Sequence, residues 1–261
     1  MVDPFTRCAL VTTVSGLVNR AIECKWKKLL PLQRQALTKT LELFNGISNV
    51  IEEGKPIPYR SVSEACKPLV DAVASDDFKG VLQGVRDHDN YSYAHSVRVA
   101  TYLALFGATL GLSNDEQILL ATGGLLHDVG KMSIPHEILN KPGRLDESEL
   151  AVMKGHVTAS VAYLQCCHDL PKGIITIAAQ HHEKLDGSGY PYGLAGKDLN
   201  RLARIASIVD VFSALTDRRV YKPSMEAETA LNLMVEQMGS KLDIKLLSLF
   251  RQMLLDATVP V

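Results

Sequence analysis

The sequence predicts an all-α protein. Apolar residues recur at spacings of three and four along most of the chain, and helix-starting signals stand ahead of several of those runs. No segment shows the alternation of a half-buried strand. The 261 residues suggest one large domain, or one domain and a smaller piece. A formal net charge of -1 argues against broad binding of polymeric nucleic acid or a membrane surface, while leaving room for a local basic pocket that takes a small anion. No run reaches the ~18 apolar residues of a membrane span. The weakly apolar stretch from Cys8 to Val14, preceded by Asp3, reads as helix rather than signal peptide. Five cysteines, scattered and without a CxxC pair, fit a reducing cytoplasm, and the neighbours Cys166 and Cys167 would bridge only with strain.

Taken in order, the stretch from Phe5 to Glu53 reads as helices separated at Pro31. In the second, Leu37, Leu41, Phe44, Ile47 and Ile51 form one stripe. Its plain reading is packing on the rest of the chain; its sharper reading is a homodimer seam or a signal-transmitting helix. Gly54 to Pro58 marks a linker, which divides the chain into an N-terminal helical segment, 1–54, and a main domain, 55–261. Ser61 or Ser63, with Glu64, is expected to cap the next helix. The apolar segment from Tyr91 to Leu110 carries His95. Ser113 and Glu116 have capping-box spacing and start the helix that delivers His127. Asp146 or Ser148 starts a helix with Leu150, Met153, Val157 and Val161 on one face and His156 near it. Pro171 opens another, which ends in His181-His182-Glu183. Glycines and a proline force a loop over Leu185 to Gly193, and its tyrosines could line a pocket. A helix over Leu202 to Leu215 follows, then a basic patch at Arg218 to Lys222. The tail from Glu226 to Leu255 is helical, with a break at Gly239-Ser240.

The chemistry gathers on a few of these elements. His127-Asp128 closes an apolar run and is followed at once by Gly130 and Lys131. Together they offer a nitrogen ligand and a carboxylate able to bridge two ions. His181 and His182 fan out by roughly 100° on a helix and suit a wide two-ion target. Asp210, flanked by Ile208, Val209, Val211 and Phe212, needs a counter-charge, either Arg201 or Arg204 in a salt bridge or a metal. Each residue alone has an ordinary structural explanation. Helical cores can nonetheless gather such side chains from several helices to hold two metals.

HDVGK at His127–Lys131 and HHEKLDGSGYP at His181–Pro191 resemble the HD-GYP family, a branch of the HD metal-dependent phosphohydrolases. The similarity extends to His95-Ser96, to Met153 with His156, and to Asp210 with Arg219 and Lys222, and covers the chain from about Pro58 onward. The resemblance implies a helical HD-domain bundle with a metal centre in its core. It implies hydrolysis of cyclic di-GMP to pGpG and then GMP through a metal-bridged hydroxide, in bacterial second-messenger signalling. Matching positions make His95, His127, Asp128, His156, His181, His182 and Asp210 metal ligands, with Asp128 bridging. Two divalent ions are implied, iron or manganese foremost, with zinc, nickel or magnesium as alternatives. Lys131 would join Asp128 in catalysis and contact the phosphate, and Arg219, Lys222, Tyr190 and Gly187 would face the substrate. The signature loop would also serve in contacts with GGDEF-domain proteins.

The sequence departs from the family at several places. Tyr91 stands where a third-metal glutamate occurs in some members, which favours a two-metal site. Ser213 stands for the usual aspartate, Val220 for a proline, and Val157 and Ser160 near a common proline and glycine. His88, His136 and His168 match no ligand position. The altered Ser213 and Val220 motivate a competing reading, a weak or inactive module acting as a cyclic di-GMP receptor or GGDEF-binding scaffold; a third reading, a phosphohydrolase for another cyclic dinucleotide or nucleoside phosphates, is opposed by the GYP loop.

Overall fold

The structure, a computed structural model, describes residues 31–75, 81–82, 91–167, 169–217 and 225–258. The helix expected before Pro31, His88, His168, Val220 and the candidate contacts Arg219 and Lys222 lie outside the described residues. Helices α1 (Pro31–Glu52), α2 (Tyr59–Ala74), α3 (Tyr91–Thr109) and α4 (Asn114–Leu126) lead into a 3-10 turn, Val129–Ser133. Then come α5 (His136–Leu139), α6 (Glu147–Lys154), α7 (His156–Gln165), α8 (Lys172–Gln180), a second 3-10 turn (Gly196–Asp198), α9 (Arg201–Thr216), α10 (Ala227–Met238) and α11 (Ile244–Thr258). No strand occurs among the described residues, and Asp186 and Ala195 form an isolated antiparallel bridge. The all-α expectation holds.

Caps decide where several helices begin. At α4, the Ser113 hydroxyl accepts the Glu116 amide at 3.4 Å and the Glu116 carboxylate accepts the Ser113 amide at 2.8 Å. Asp146, not Ser148, caps α6 in the same reciprocal way with Glu149, at 2.9 and 2.8 Å. Each box satisfies amides that the first turn leaves without helical partners. α2 departs from expectation: it starts at Tyr59 behind Pro58, with no side-chain cap, so Ser61 and Ser63 fall inside the helix. Pro58 fixes the dihedral at which the chain enters the helix. α8 ends at Gln180, which leaves His181 as its C-cap and His182 beyond it.

Two apolar clusters flank the packed pair α3 and α4. The first joins Leu37 and Ile47 of α1, Leu69 of α2, Val97 of α3, Leu125 of α4, Leu164 of α7 and Ile174 of α8. Leu37, Leu41 and Ile47 are buried there and Phe44 and Ile51 partly so, which gives the α1 stripe its plain reading of intrachain packing. The Tyr93 hydroxyl donates to the Leu37 carbonyl at 3.0 Å and pins α3 to α1. The second cluster unites Leu103, Leu120 and Phe212 with α10 and α11. In it Phe106, Phe212 and Phe250 meet edge to face with centroids 5.2 Å apart, an arrangement favoured by the ring quadrupoles.

The 3-10 turn that follows His127-Asp128 lies directly on α7. A Cβ at Gly130 would stand 2.1 Å from the His156 carbonyl oxygen and 2.4 Å from the Ser160 nitrogen. The Gly130 amide donates to the Ser160 hydroxyl at 2.8 Å. Ser160, one of the family departures, thus satisfies a buried amide.

Gly130→Ala must push α7 off the turn and is expected to cost about 1–3 kcal/mol. Ser160→Ala leaves a buried amide unpaired at a cost of about 1–3 kcal/mol. Urea denaturation of both variants measures these losses, and wild-type midpoints would refute the packing described. A second expectation concerns Cys66, whose thiol burial pushes up to about 12, the Thr122 hydroxyl opposing in part. An unfolded thiol titrates near ~8.5. The contribution of Cys66 is therefore complete below that pH and declines by about 1.4 kcal/mol per pH unit until the folded thiol ionises. Cys66→Ala should flatten the fall of stability between about pH 9 and 12 relative to wild type; parallel pH profiles would contradict it.

Candidate metal centre

Donors arrive at one place from different helices. His95 comes from α3, His127 and Asp128 from the end of α4, His156 from the start of α7, His181 and His182 from the end of α8, and Asp210 from α9. All but the partly buried His182 are buried. Their ligand atoms form three overlapping groups, each within 4.8 Å: Asp128 with His156, His181 and His182; Asp128 with His95 and His127; and His127 with His181 and Asp210.

One local device sets three of the imidazoles. Nδ1 of His127 donates to the Gly124 carbonyl at 2.7 Å, that of His156 to Met153 at 2.6 Å, and that of His181 to Ala178 at 2.9 Å. In every case the acceptor lies three residues back, in the last turn of a helix, where carbonyls have no onward helical partner. The proton is thereby held on Nδ1, and Nε2 presents a lone pair. Those three Nε2 atoms, and Oδ1 of Asp128, are buried without a hydrogen-bond partner. Burying unpaired polar atoms costs about 1–3 kcal/mol each. A divalent ion fits this set, since it takes up the converging lone pairs of neutral imidazoles and a carboxylate.

Asp128 divides its oxygens. Oδ1 lies 3.1 Å from His156 Nε2 and 3.7 Å from His181 Nε2; Oδ2 lies 3.2 Å from His127 Nε2 and pairs with the Lys131 ammonium. Asp210 does the same, with Oδ1 3.1 Å from His95 Nε2 and 3.7 Å from His127 Nε2, and Oδ2 3.8 Å from His182 Nδ1. Burial alone would raise both carboxyls, but the facing imidazoles, with Lys131 at Asp128, hold both well below the usual carboxylate range. Burial also works against a charged His127, yet Asp128 and Asp210 raise it above its ordinary value, so a proton competes with a metal ion for its Nε2. His181 and His182 are lowered, chiefly by burial, and stay neutral.

Asp210 is therefore faced by histidines. Arg204, one of its two expected partners, instead bonds the Leu199 and Gly196 carbonyls at 3.0 and 2.8 Å and reaches Asp243 at 3.4 Å. The other, Arg201, is exposed. Tyr190 stacks on His182 with ring centroids 4.7 Å apart, whereas Gly187 sits in a turn at φ +78° within the loop.

Several residues outside the candidate ligands and substrate contacts also shape the site. The buried carboxylate of Glu183 accepts the Tyr192 amide at 2.6 Å and the Leu194 amide at 3.0 Å and clamps the loop. A Cβ at Gly189 would meet the Glu183 Cα at 2.4 Å, so the loop lies flat on the HHE backbone. Lys184, lowered by burial, donates to Ser207 of α9 at 3.2 Å. Lys154 places its ammonium 5.2 Å from the Tyr190 ring centre. Asp217 bonds His95 at 2.9 Å and Arg98 at 2.8 Å. A carboxylate one turn beyond position 213 was the available signal for Asp217, hidden by its neighbours Arg218 and Arg219.

Residues 81–246 match the HD domain family. The chain is 36% identical over 158 residues to a cyclic di-GMP phosphodiesterase of Pseudomonas aeruginosa, covering 60% of this chain and 38% of that protein. It is 42% identical over 144 residues to a 3'3'-cGAMP-specific phosphodiesterase of Vibrio cholerae, covering 55% and 33%. To a cyclic di-GMP phosphodiesterase response regulator of Xanthomonas campestris it is 36% identical over 165 residues, covering 62% and 43%. The chain thus spans less than half the length of these curated relatives. A solved HDG"Y"P protein of Bdellovibrio bacteriovorus superposes with a TM-score of 0.70 at 20% identity, over 97% of this chain and 81% of that one, a likeness of fold. With the HDVGK and GYP segments brought to one centre on that fold, the chain belongs to the HD-GYP branch of the HD-domain family.

Proposed function

We propose that this domain hydrolyses cyclic di-GMP to pGpG and then GMP at a centre of two divalent ions, iron or manganese. The observation that carries the reading is the set of three locked imidazoles whose unpartnered Nε2 atoms converge with Asp128. The names of the relatives support the substrate class.

When bound, the ions supply Lewis acidity and lower the pKa of water, which suits attack on an anionic phosphodiester. Asp128 and Asp210 each turn one oxygen toward a different set of imidazoles, as bridging carboxylates do. Lys131 extends from Asp128 with its side chain partly exposed, so its ammonium can meet charge that develops on a phosphate oxygen. The stacked ring of Tyr190 holds His182 and walls one side of the centre; burial raises its phenol, which stays a donor. Arg219 and Lys222 are kept as nucleotide contacts on the strength of the resemblance. In the signature loop, the exposure of Tyr192 supports docking of a GGDEF-domain partner. The reading places the protein in the cytoplasm, where second messengers turn over, and a homodimer is compatible with it.

A second substrate has specific support. Relatives 37–42% identical are named as 3'3'-cGAMP-specific phosphodiesterases, so this dinucleotide is the leading alternative.

Protein loaded anaerobically with Mn2+ or Fe2+ should convert cyclic di-GMP to pGpG and GMP, followed by chromatography. A chelator should abolish turnover, and His127→Ala should lower kcat/KM by about 100-fold or more. Turnover of 3'3'-cGAMP alone would move the assignment to the second substrate. Tight binding without any product would favour a receptor or scaffold.

A further inference from the structure

His95 is oriented differently from the other buried imidazoles. His127, His156 and His181 each donate Nδ1–H to a carbonyl at a helix end. His95 lies inside α3, where the preceding carbonyls are committed to the helical ladder. Its ring needs an acceptor from another element. Two side chains of α9 and its C-cap reach Nδ1: Asp217 Oδ2 at 2.9 Å and Ser213 Oγ at 3.4 Å. The Asp217 amide donates to the Ser213 carbonyl at 2.9 Å, so the two residues are stacked one turn apart on one face.

Asp217 is built into that position. It is 3% exposed, and its other oxygen, Oδ1, holds Arg98 Nη1 at 2.8 Å. Arg98 is three residues beyond His95 on the same helix, so α3 supplies both the imidazole and the cation that secures its acceptor. On its far side, His95 Nε2 lies 3.1 Å from Asp210 Oδ1 and 3.9 Å from Asp128 Oδ2. The order from the outside inward is Arg98, Asp217, His95, then the two carboxylates of the centre.

We propose that Asp217 is the positioning residue for His95: its carboxylate keeps the proton on Nδ1 and turns Nε2 into the metal centre. Position 213, one of the family departures, is a second seat from which the same carboxylate can reach the same nitrogen. This rests on reading the cluster as a metal centre. A buried acceptor of this kind raises the basicity of a ligating imidazole and fixes its ring, and losing one costs about 10–100-fold in metal affinity.

Mn2+ affinity of the whole chain, measured by competition with a fluorescent chelator, tests it. Asp217→Ser should bind about 10–100-fold more weakly than wild type, and adding Ser213→Asp should restore affinity to within about threefold. A purely structural carboxylate at the end of α9 would not be replaced from one turn earlier. Asp217→Ser with unchanged affinity, or a folded double variant as weak as the single one, overturns the proposal and leaves the metal centre standing. If Asp217→Ser does not fold, Asp217→Leu takes its place: it keeps the volume but offers no acceptor to Nδ1, and unchanged affinity overturns the proposal equally. A wild-type chain that does not take up Mn2+ overturns the metal-centre reading itself.

Discussion

The structure depends on one buried carboxylate. Asp128 has 7% of its surface exposed and would be untenable as an anion in an apolar interior. Its oxygens stand 3.1–3.7 Å from Nε2 of His127, His156 and His181, a spacing that a cation between them would turn from repulsion to attraction, and one of them pairs with Lys131. His156 and His181 come from elements far from Asp128 in sequence, so the cluster forms only where α4, α7 and α8 meet at their ends. The requirement explains the close approach at Gly130, where no side chain fits between the HD turn and α7. It also explains why the ligands cluster at termini: helix ends supply the spare carbonyls that hold each imidazole in one tautomer.

Rigidity comes from the two apolar clusters on either side of α3 and α4. The clusters are unlike in make-up. One is mostly aliphatic and absorbs α1, while the other has an aromatic centre that ties α9 to α11. His95 and Asp210 approach the centre from α3 and α9, whose buried neighbours Val99, Val209 and Phe212 share the second cluster. His156 and His181 come from α7 and α8, which place Leu164 and Ile174 in the first. The centre thus draws on both clusters, and its donors sit in packed helices or at their ends.

Much of this was legible from residues, for identifiable reasons. The helices at Ser113 and Asp146 announced themselves through reciprocal caps, which are local and leave a fixed spacing. The start of α2 was misplaced because two serines looked like caps where a proline already set the dihedral. Adjacent donors, HD and HH, are visible because donor chemistry belongs to the residue itself. Asp217, Arg98 and Glu183 escaped notice because their contribution is to hold something else: an imidazole, a carboxylate, a loop. Such roles depend on which residue lies opposite in space. The same limit left an arginine or a metal open for Asp210 until geometry set histidines around it.

Substrate choice has to be located outside the donor set. On the proposed reading the centre takes a phosphodiester, a feature that cyclic di-GMP and 3'3'-cGAMP have in common. The two differ in one purine base, so discrimination requires side chains that meet a base edge or face. Around the centre, the groups suited to that are the Tyr190 ring, already stacked on His182, and the Lys154 ammonium near it. Glu183 holds the backbone that carries Tyr190 through its bonds to Tyr192 and Leu194. A change in the loop would therefore bear on base recognition and on His182 while leaving His127, His156 and His181 on their helix-end carbonyls. On the proposed reading, catalytic competence would rest on the helix ends and nucleotide preference on the loop laid across them.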